Sequence, residues 1–240
     1  MLLAAIAACA LAAPAGAKPP QGVDVSRFQG AIDWTQVRGA GVRFAFVAAS
    51  RGSGADCAVA PDSCGTDPYY AANYANARKS GVRVGPYHRA FIQGGTREAL
   101  LTDARAEADV FIASVGSLTR KDMRPALDVE TPFDVAGPHA LRAWLRAWLK
   151  RVRKHLHSKP IIYTNATSWA YTGGTLEFGR KKHQLWVANW GVSSPAVPAG
   201  NWAGRGWSVW QYSSDGAVPG ISGRVDLNRL GVPLKRLLAR

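Results

Sequence analysis

The sequence predicts an α/β protein: one domain whose parallel strands are covered by helices, in a sheet either open or closed into a barrel, with the barrel preferred. Three observations predict it. Short β-rich runs alternate with helical patterns, and such alternation produces a parallel sheet with helices on its faces. No internal repeat and no low-complexity linker divides the chain. At 240 residues and 47% hydrophobic, it can bury one full core, as barrel-like folds of this length do.

The first residues stand apart from that pattern. Met1 to Ala17 contains no charged side chain, and Leu2 to Ala13 is an apolar run of 12 residues followed by Pro14 and Ala15-Gly16-Ala17. This is the layout of an export signal with a small-x-small cleavage site before Lys18. The run is shorter than the roughly 20 residues needed to span a bilayer. A lipobox reading of Ile6-Ala7-Ala8-Cys9 is weaker, because only a few apolar residues precede Cys9. Residues 1–17 are therefore expected to be a signal peptide and 18–240 the folded domain. The product is expected to be exported (periplasmic or secreted), a monomer, and not stably inserted in the membrane after cleavage.

Without the signal, two cysteines remain, Cys57 and Cys64, in a stretch rich in Gly, Asp, Ser and Pro. An even pair there suits a loop disulfide in an oxidising compartment; two free thiols are the alternative. No His or further Cys lies nearby to complete a metal site, and neither a metal nor a cofactor is expected.

The elements follow in order. Val42 to Ala49 is a strand candidate. Pro68 to Ser80 reads as a helix ended by Gly81, a C-cap residue. Val82 to Tyr87 is the next strand, and a long helix from Arg97 to about Val115 leads to Arg124-Pro125-Ala126-Leu127-Asp128-Val129-Glu130. Between Leu141 and Leu156, apolar residues at 141, 144, 145, 148, 149, 152 and 156 form one helical stripe, with Arg142, Arg146, Lys150, Arg153 and Lys154 on the other faces. A basic amphipathic helix can lie on a membrane, but an outer helix packed on the sheet is the plainer expectation. Strands at Pro160–Thr164, Gln184–Asn189 and Ser208–Tyr212 complete the series.

The formal charge is +14, from 30 Lys and Arg against 16 Asp and Glu. Such an excess favours polyanionic surroundings: nucleic acid, anionic lipid or an anionic cell wall. Zinc-ligand spacing, a phosphate-cradling Gly loop and a basic arm are all missing from the sequence, so nucleic acid is not expected. The nine Trp serve either as stacking faces for sugar rings or as large core fillers.

The chemistry concentrates in Ala126-Leu127-Asp128-Val129-Glu130. Side chains alternate along a strand, so Asp128 and Glu130 point the same way, with Cα atoms roughly 6.5–7 Å apart. Two carboxylates this close resist double ionisation, so one keeps a proton toward neutral pH and can act as a general acid. Glycosidic cleavage needs such an acid at the leaving oxygen and a second carboxylate at the anomeric centre. Glu130 is expected to hold the proton, with Asp128 below the usual carboxylate range. Both must share an open cleft, not be locked against an arginine. Alone, Asp-x-Glu is a common tripeptide.

Its context is more specific. Gly22-Val23-Asp24-Val25-Ser26-Arg27-Phe28-Gln29-Gly30, Gly85-Pro86-Tyr87-His88, the Asp128 segment, Ile162-Tyr163-Thr164-Asn165, Leu185-Trp186-Val187-Ala188-Asn189-Trp190, Trp210-Gln211-Tyr212-Ser213-Ser214 and Val225-Asp226-Leu227-Asn228 occur in that order. Together they resemble the family 25 glycoside hydrolases, lysozymes of the N-acetylmuramidase type, from about Gly22 to Asn228. The resemblance implies an irregular, flattened (β/α) barrel that hydrolyses the β-1,4 bond between N-acetylmuramic acid and N-acetylglucosamine in peptidoglycan glycan strands. It implies Glu130 as general acid and Asp128 as stabiliser of developing positive charge or orienter of the substrate's acetamido group. Asp24 and Asp226 would complete an acidic floor, and Tyr163 would stand near the reacting sugar. Tyr87 and His88 are groove candidates at a strand end; Trp186, Trp190 and Trp210 are candidates for stacking on sugar, and Asn165 and Asn189 for binding its hydroxyls. Structural readings stand beside each: turn-capping or arginine-paired acids, core aromatics, barrel filling.

Two features depart from the family. Where it carries Lys-Ala-Thr-Glu-Gly, this chain has Ala48-Ala49-Ser50-Arg51-Gly52, and the stretch Gly54 to Thr66 is longer than the usual loop. The four principal acids are present, which favours an active enzyme over a peptidoglycan-binding protein of the same fold that does not cleave.

Overall fold

The computed structural model describes residues 22–53 and 64–239. The signal-peptide expectation, and Cys57 with the disulfide expected of it, lie outside the described residues; Cys64 is buried.

Eight strands close into a barrel: β1 (Gly22–Val25), β2 (Phe44–Arg51), β4 (Arg83–Arg89), β5 (Ala126–Asp128), β6 (Ile161–Thr164), β7 (Leu185–Ala188), β8 (Val209–Gly216) and β9 (Val225–Leu230). Strands β1 to β8 of this set run parallel in sequence order, while β9 runs antiparallel between β8 and β1 and shuts the ring. A short β3 (Gly65–Thr66) pairs with the end of β2. The expected strands and helices are all present, with ends displaced by a few residues.

Period-two alternation divides the core. Phe44, Phe46, Ala126, Ile161, Tyr163, Trp186 and Val209 fill the barrel interior, while Ala45, Val47, Leu127, Val129 and Ile162 face the helices. Gly85 lies under this interior packing: a Cβ there would stand 2.8 Å from the Phe46 ring. Gly81, at φ +80°, follows α2 (Tyr70–Lys79) in the left-handed conformation that ends helices.

Two long helices form the thickest outer layer, α3 (Arg97–Val115) and α4 (Pro138–Leu156). All seven stripe residues of α4, from Leu141 to Leu156, are buried, each worth roughly 1.5–3 kcal/mol relative to exposure. The stripe is therefore core, and no apolar face of α4 is left for a lipid surface. No described helix is long and apolar enough to cross a membrane.

A β-bulge in β2 shifts its register against β4 between Ala48 and Ser50. The bulge turns Ser50 toward the helix layer, where its hydroxyl meets His88 Nδ1 at 2.8 Å.

Candidate active site

At the C-terminal ends of the parallel strands a cavity of about 220 Å³ opens, its floor supplied by nearly every barrel strand. Asp24 comes from β1, Tyr87 from β4, Asp128 from β5, Tyr163 from β6, Gln211 from β8 and Asp226 from β9. Glu130, two residues past Asp128, and Trp190, past β7, form its rim. This is the end at which barrel enzymes place their chemistry.

The expected alternation holds at the centre. Asp128 and Glu130 both line the cavity, while Val129 between them is buried in the helix-facing core. Arg89 stands beside both acids, its Nε 3.6 Å from Asp128 Oδ2 and its Nη2 3.7 Å from Glu130 Oε2. Its hydrogen bonds go instead to the carbonyls of Ala90, Glu130 and Thr131, at 3.3, 3.2 and 3.4 Å. Arg89 therefore ion-pairs with both acids at long range without hydrogen-bonding to either, while both acids still line the cavity.

The titration order expected of the pair is corrected at Asp128. Burial pushes Asp128 up to about 8, against the opposing pull of Arg89 and with the help of the Glu130 charge. A strand-end carboxylate 8% exposed loses more by desolvation than an arginine at 3.6 Å returns. The sequence shows the spacing of the two acids but not that depth.

Asp24 and Asp226 face each other as direct cross-strand partners on β1 and β9. Burial and the Asp226 charge raise Asp24 well above the ordinary carboxylate range; burial raises Asp226 as well, partly opposed by its hydrogen bond with Asp24. The two behave as a pair that shares a proton. Neither is an arginine-paired surface acid.

Two amides missed by the sequence reading hold this floor together. Asn228 donates to Asp24 Oδ2 at 2.6 Å and accepts from Trp186 Nε1 at 2.7 Å. Gln211 donates to both Asp24 oxygens and accepts from the Tyr163 hydroxyl and Trp190 Nε1, each at 2.9 Å. Both residues lie within motifs singled out above, but an amide carries no charge to draw attention to it. Arg89 was missed as well.

The remaining candidates separate. Tyr87 and Tyr163 line the cavity, and burial, with the nearby carboxylates, holds both phenols well above their usual range. Trp186 also lines it, but is buried, stacked on Phe46 at 4.2 Å between ring centres, so it is wall rather than platform. Trp210 is buried outside the cavity, and its indole holds the Asn189 carbonyl at 2.8 Å. Asn165 and Asn189 line a second cavity of about 420 Å³ that shares Trp190 with the first. Their side-chain oxygens are engaged with the N–H groups of Ser168 and Ala196, both at 2.8 Å.

His88 is not in the groove. The residue points away from the barrel interior and is fully buried between Ser50 and Glu107, its Nε2 at 2.7 Å from the Glu107 carboxylate. It lies one position out of phase with Tyr87, so the pleat sends it to the opposite face.

The two departures have a place too. Ala48 pairs with Tyr87 inside the wall, and Arg51 pairs with Arg89 at the strand ends. The Arg51 guanidinium lies over the Phe91 ring at 4.6 Å, and burial together with the Arg89 charge disfavours its ionised form. With no lysine at position 48 the departure leaves no unpaired ammonium there, but the Arg51 Nε is buried without a hydrogen-bond partner among the described residues.

Comparison with known proteins agrees with this geometry. A family model described as "Glycosyl hydrolases family 25" matches residues 23–221. Lysozyme M1 of Streptomyces globisporus is 34% identical over 94% of this chain and 72% of its own length. The N,O-diacetylmuramidase of a Chalaropsis species is 27% identical over 86% of this chain and 95% of its own. The crystal structure of the bacterial lysozyme from Streptomyces coelicolor superposes with a TM-score of 0.76 at 32% identity, covering 92% of this chain and 96% of that one.

Proposed function

The chain belongs to glycosyl hydrolase family 25, and from that membership we propose that it is an exported lysozyme cutting the β-1,4 bond between N-acetylmuramic acid and N-acetylglucosamine of peptidoglycan. The observation that carries the reading is the pair Asp128 and Glu130, turned together into one cavity at the C-terminal mouth of the barrel. Lysozymes and muramidases recur among its relatives and structural neighbours.

Glu130 gives the proton to the leaving glycosidic oxygen. Its side chain is 27% exposed on the cavity rim, accessible to substrate, and Arg89 beside it takes up the charge it acquires. Asp128 sits deeper, and burial raises its carboxyl to about 8. Where it is ionised its carboxylate stabilises the positive charge that develops at the anomeric carbon, and where it is protonated its hydroxyl anchors the substrate's acetamido group. Asp24 and Asp226, tied to Gln211 and Asn228, form the rest of the acidic floor, and Tyr163 is held toward it by Gln211. Trp190, 51% exposed, offers a ring face to sugar between the two cavities, and Asn165 and Asn189 line the second.

Mass analysis of purified sacculi digested by the protein tests the assignment. New reducing ends on muramic acid are expected. Reducing-end glucosamine would make it a glucosaminidase, an anhydro product a lytic transglycosylase, and intact sacculi a binding protein.

A further inference from the structure

A cluster of positive charge without nearby acids lies at the end of the barrel opposite the catalytic carboxylates. Arg124, Lys159 and Arg205 precede β5, β6 and β8, and Arg236 follows β9. With Arg153 at the end of α4 and Lys182 before β7, they line one pocket of about 440 Å³ that contains no Asp or Glu. Arg153 and His157 continue the pocket into a neighbouring one of about 700 Å³, to which α4 adds Lys150 and Lys154. Lys159 precedes Tyr163 by four positions along β6 and its lead-in, which places this base roughly 13 Å of strand below the catalytic floor.

Several surface cations elsewhere are matched: Arg146 and Lys181 with Glu177, Arg151 with Asp109, Arg224 with Asp215. At the base, Arg153, Lys182, Arg205 and Arg236 form no ion pair with a described residue. Lys159 spends one donor on the Lys181 carbonyl at 2.7 Å. Its ammonium is destabilised by burial and then by Arg153, Arg124, Lys182 and Arg205. The same lining includes Ser158, whose hydroxyl is buried and without a hydrogen-bond partner. Like charges held this close, around an unused hydroxyl, are stabilised by a bound anion with several acceptor oxygens.

We propose that the base of the barrel is a binding site for a phosphodiester polyanion of the base-free kind, a polyol phosphate chain, which anchors the enzyme with its acidic mouth turned away. Concavity and several converging cations suit repeated phosphates rather than one isolated carboxylate. The lining carries no Phe, Tyr or Trp, so it lacks the stacking faces on which proteins seat single-stranded nucleic acid. Because this base lies at the end of the barrel opposite the catalytic floor, a chain held there leaves the mouth free for glycan.

Fluorescence anisotropy with end-labelled poly(glycerol phosphate), over a range of salt, tests this without any glycosidic bond in the probe, so the outcome is independent of the hydrolase reading. The parent protein binds, and log K falls linearly with log salt. The triple variant Arg153→Gln, Arg205→Gln, Arg236→Gln loses about two units of that slope, about 0.7 per contact on a flexible strand, and clears sacculi digests of soluble glycan at the parental rate. A control triple on the outer helices, Lys79→Gln, Arg97→Gln, Arg105→Gln, keeps the parental slope. Equal loss in both triples would reduce the effect to net charge and overturn the site, as would no binding by the parent. Binding of labelled oligodeoxythymidylate as tight as, or tighter than, the glycerol phosphate chain would overturn the base-free assignment.

Discussion

The Gln211 amide donates to both carboxylate oxygens of Asp24, at 3.1 and 3.0 Å, and so orients that acid from two strands away in the barrel. Because its oxygen accepts from Tyr163 and Trp190, one amide sets the positions of an acid, a phenol and an indole. Gln211→Leu removes all of these bonds at once. Hydrogen bonds to a charged group are worth about 1.5–3 kcal/mol, so kcat/KM is expected to fall roughly 10- to 150-fold. Steady-state kinetics on soluble glycan fragments measure it; a loss confined to KM would assign Gln211 to substrate binding alone.

Glu130→Gln keeps the shape of the acid but removes its proton. The side chain is partly exposed and its nearest cation is 3.7 Å away, so folding is expected to survive unchanged by circular dichroism and thermal melting. Loss of a positioned general acid typically costs about 10²–10⁴ in rate. Equal clearing of sacculi by parent and variant would remove Glu130 from the mechanism.

Stability should rise as the pH falls, opposite to most proteins in this range. Asp128 is raised to about 8, and Asp24 and Asp226 are raised as well. A raised carboxylate holds its proton in the folded state but loses it near 4 when unfolded, so between those values folding takes up protons. The unfolding free energy then declines by up to about 1.4 kcal/mol per pH unit for each such group. Urea midpoints measured from pH 5 to pH 8 should fall steadily, and Asp128→Asn should flatten the slope. A midpoint that rises over this interval in the parent, or an unchanged slope in the variant, would contradict the assignment.

Much of this was readable in the sequence because it rests on period and spacing. The stripe from Leu141 to Leu156 and the alternation through Asp128, Val129 and Glu130 appear in the structure as the pattern requires. Depth was not readable. Asp128 and Asp24 titrate upward because other strands cover them, and no local pattern reports coverage. His88 was placed in the groove by adjacency to Tyr87, although the pleat assigns neighbours to opposite faces. Gln211 and Asn228 became visible only when the barrel closed, since their partner Asp24 is 187 and 204 positions away. The left-handed turn over residues 199–203 has a single glycine to announce it.

His88 and Glu107 make a stability prediction in place of a catalytic one. Both are fully buried, and their 2.7 Å contact ties β4 to α3. His88→Ala leaves the Glu107 carboxylate without its imidazole, and breaking a buried pair of this kind costs about 3–5 kcal/mol. A matching drop in the urea midpoint is expected, with KM for glycan fragments unchanged. A raised KM with unchanged stability would return His88 to the groove.

Trp190 separates stacking from hydrogen bonding. Its ring is half exposed where the two cavities meet, while its Nε1–H is held by Gln211 at 2.9 Å. Trp190→Ala removes both functions; Trp190→Phe keeps an aromatic face and loses only the donor. If the ring is a sugar platform, the alanine variant raises KM severalfold, and phenylalanine restores most of the binding because a flat apolar face remains. If the indole serves mainly to hold Gln211, the two variants lose kcat alike, through Asp24 and Tyr163, and KM stays near the parental value. The split between KM and kcat across this pair therefore decides whether Trp190 acts on the substrate or on the acidic floor.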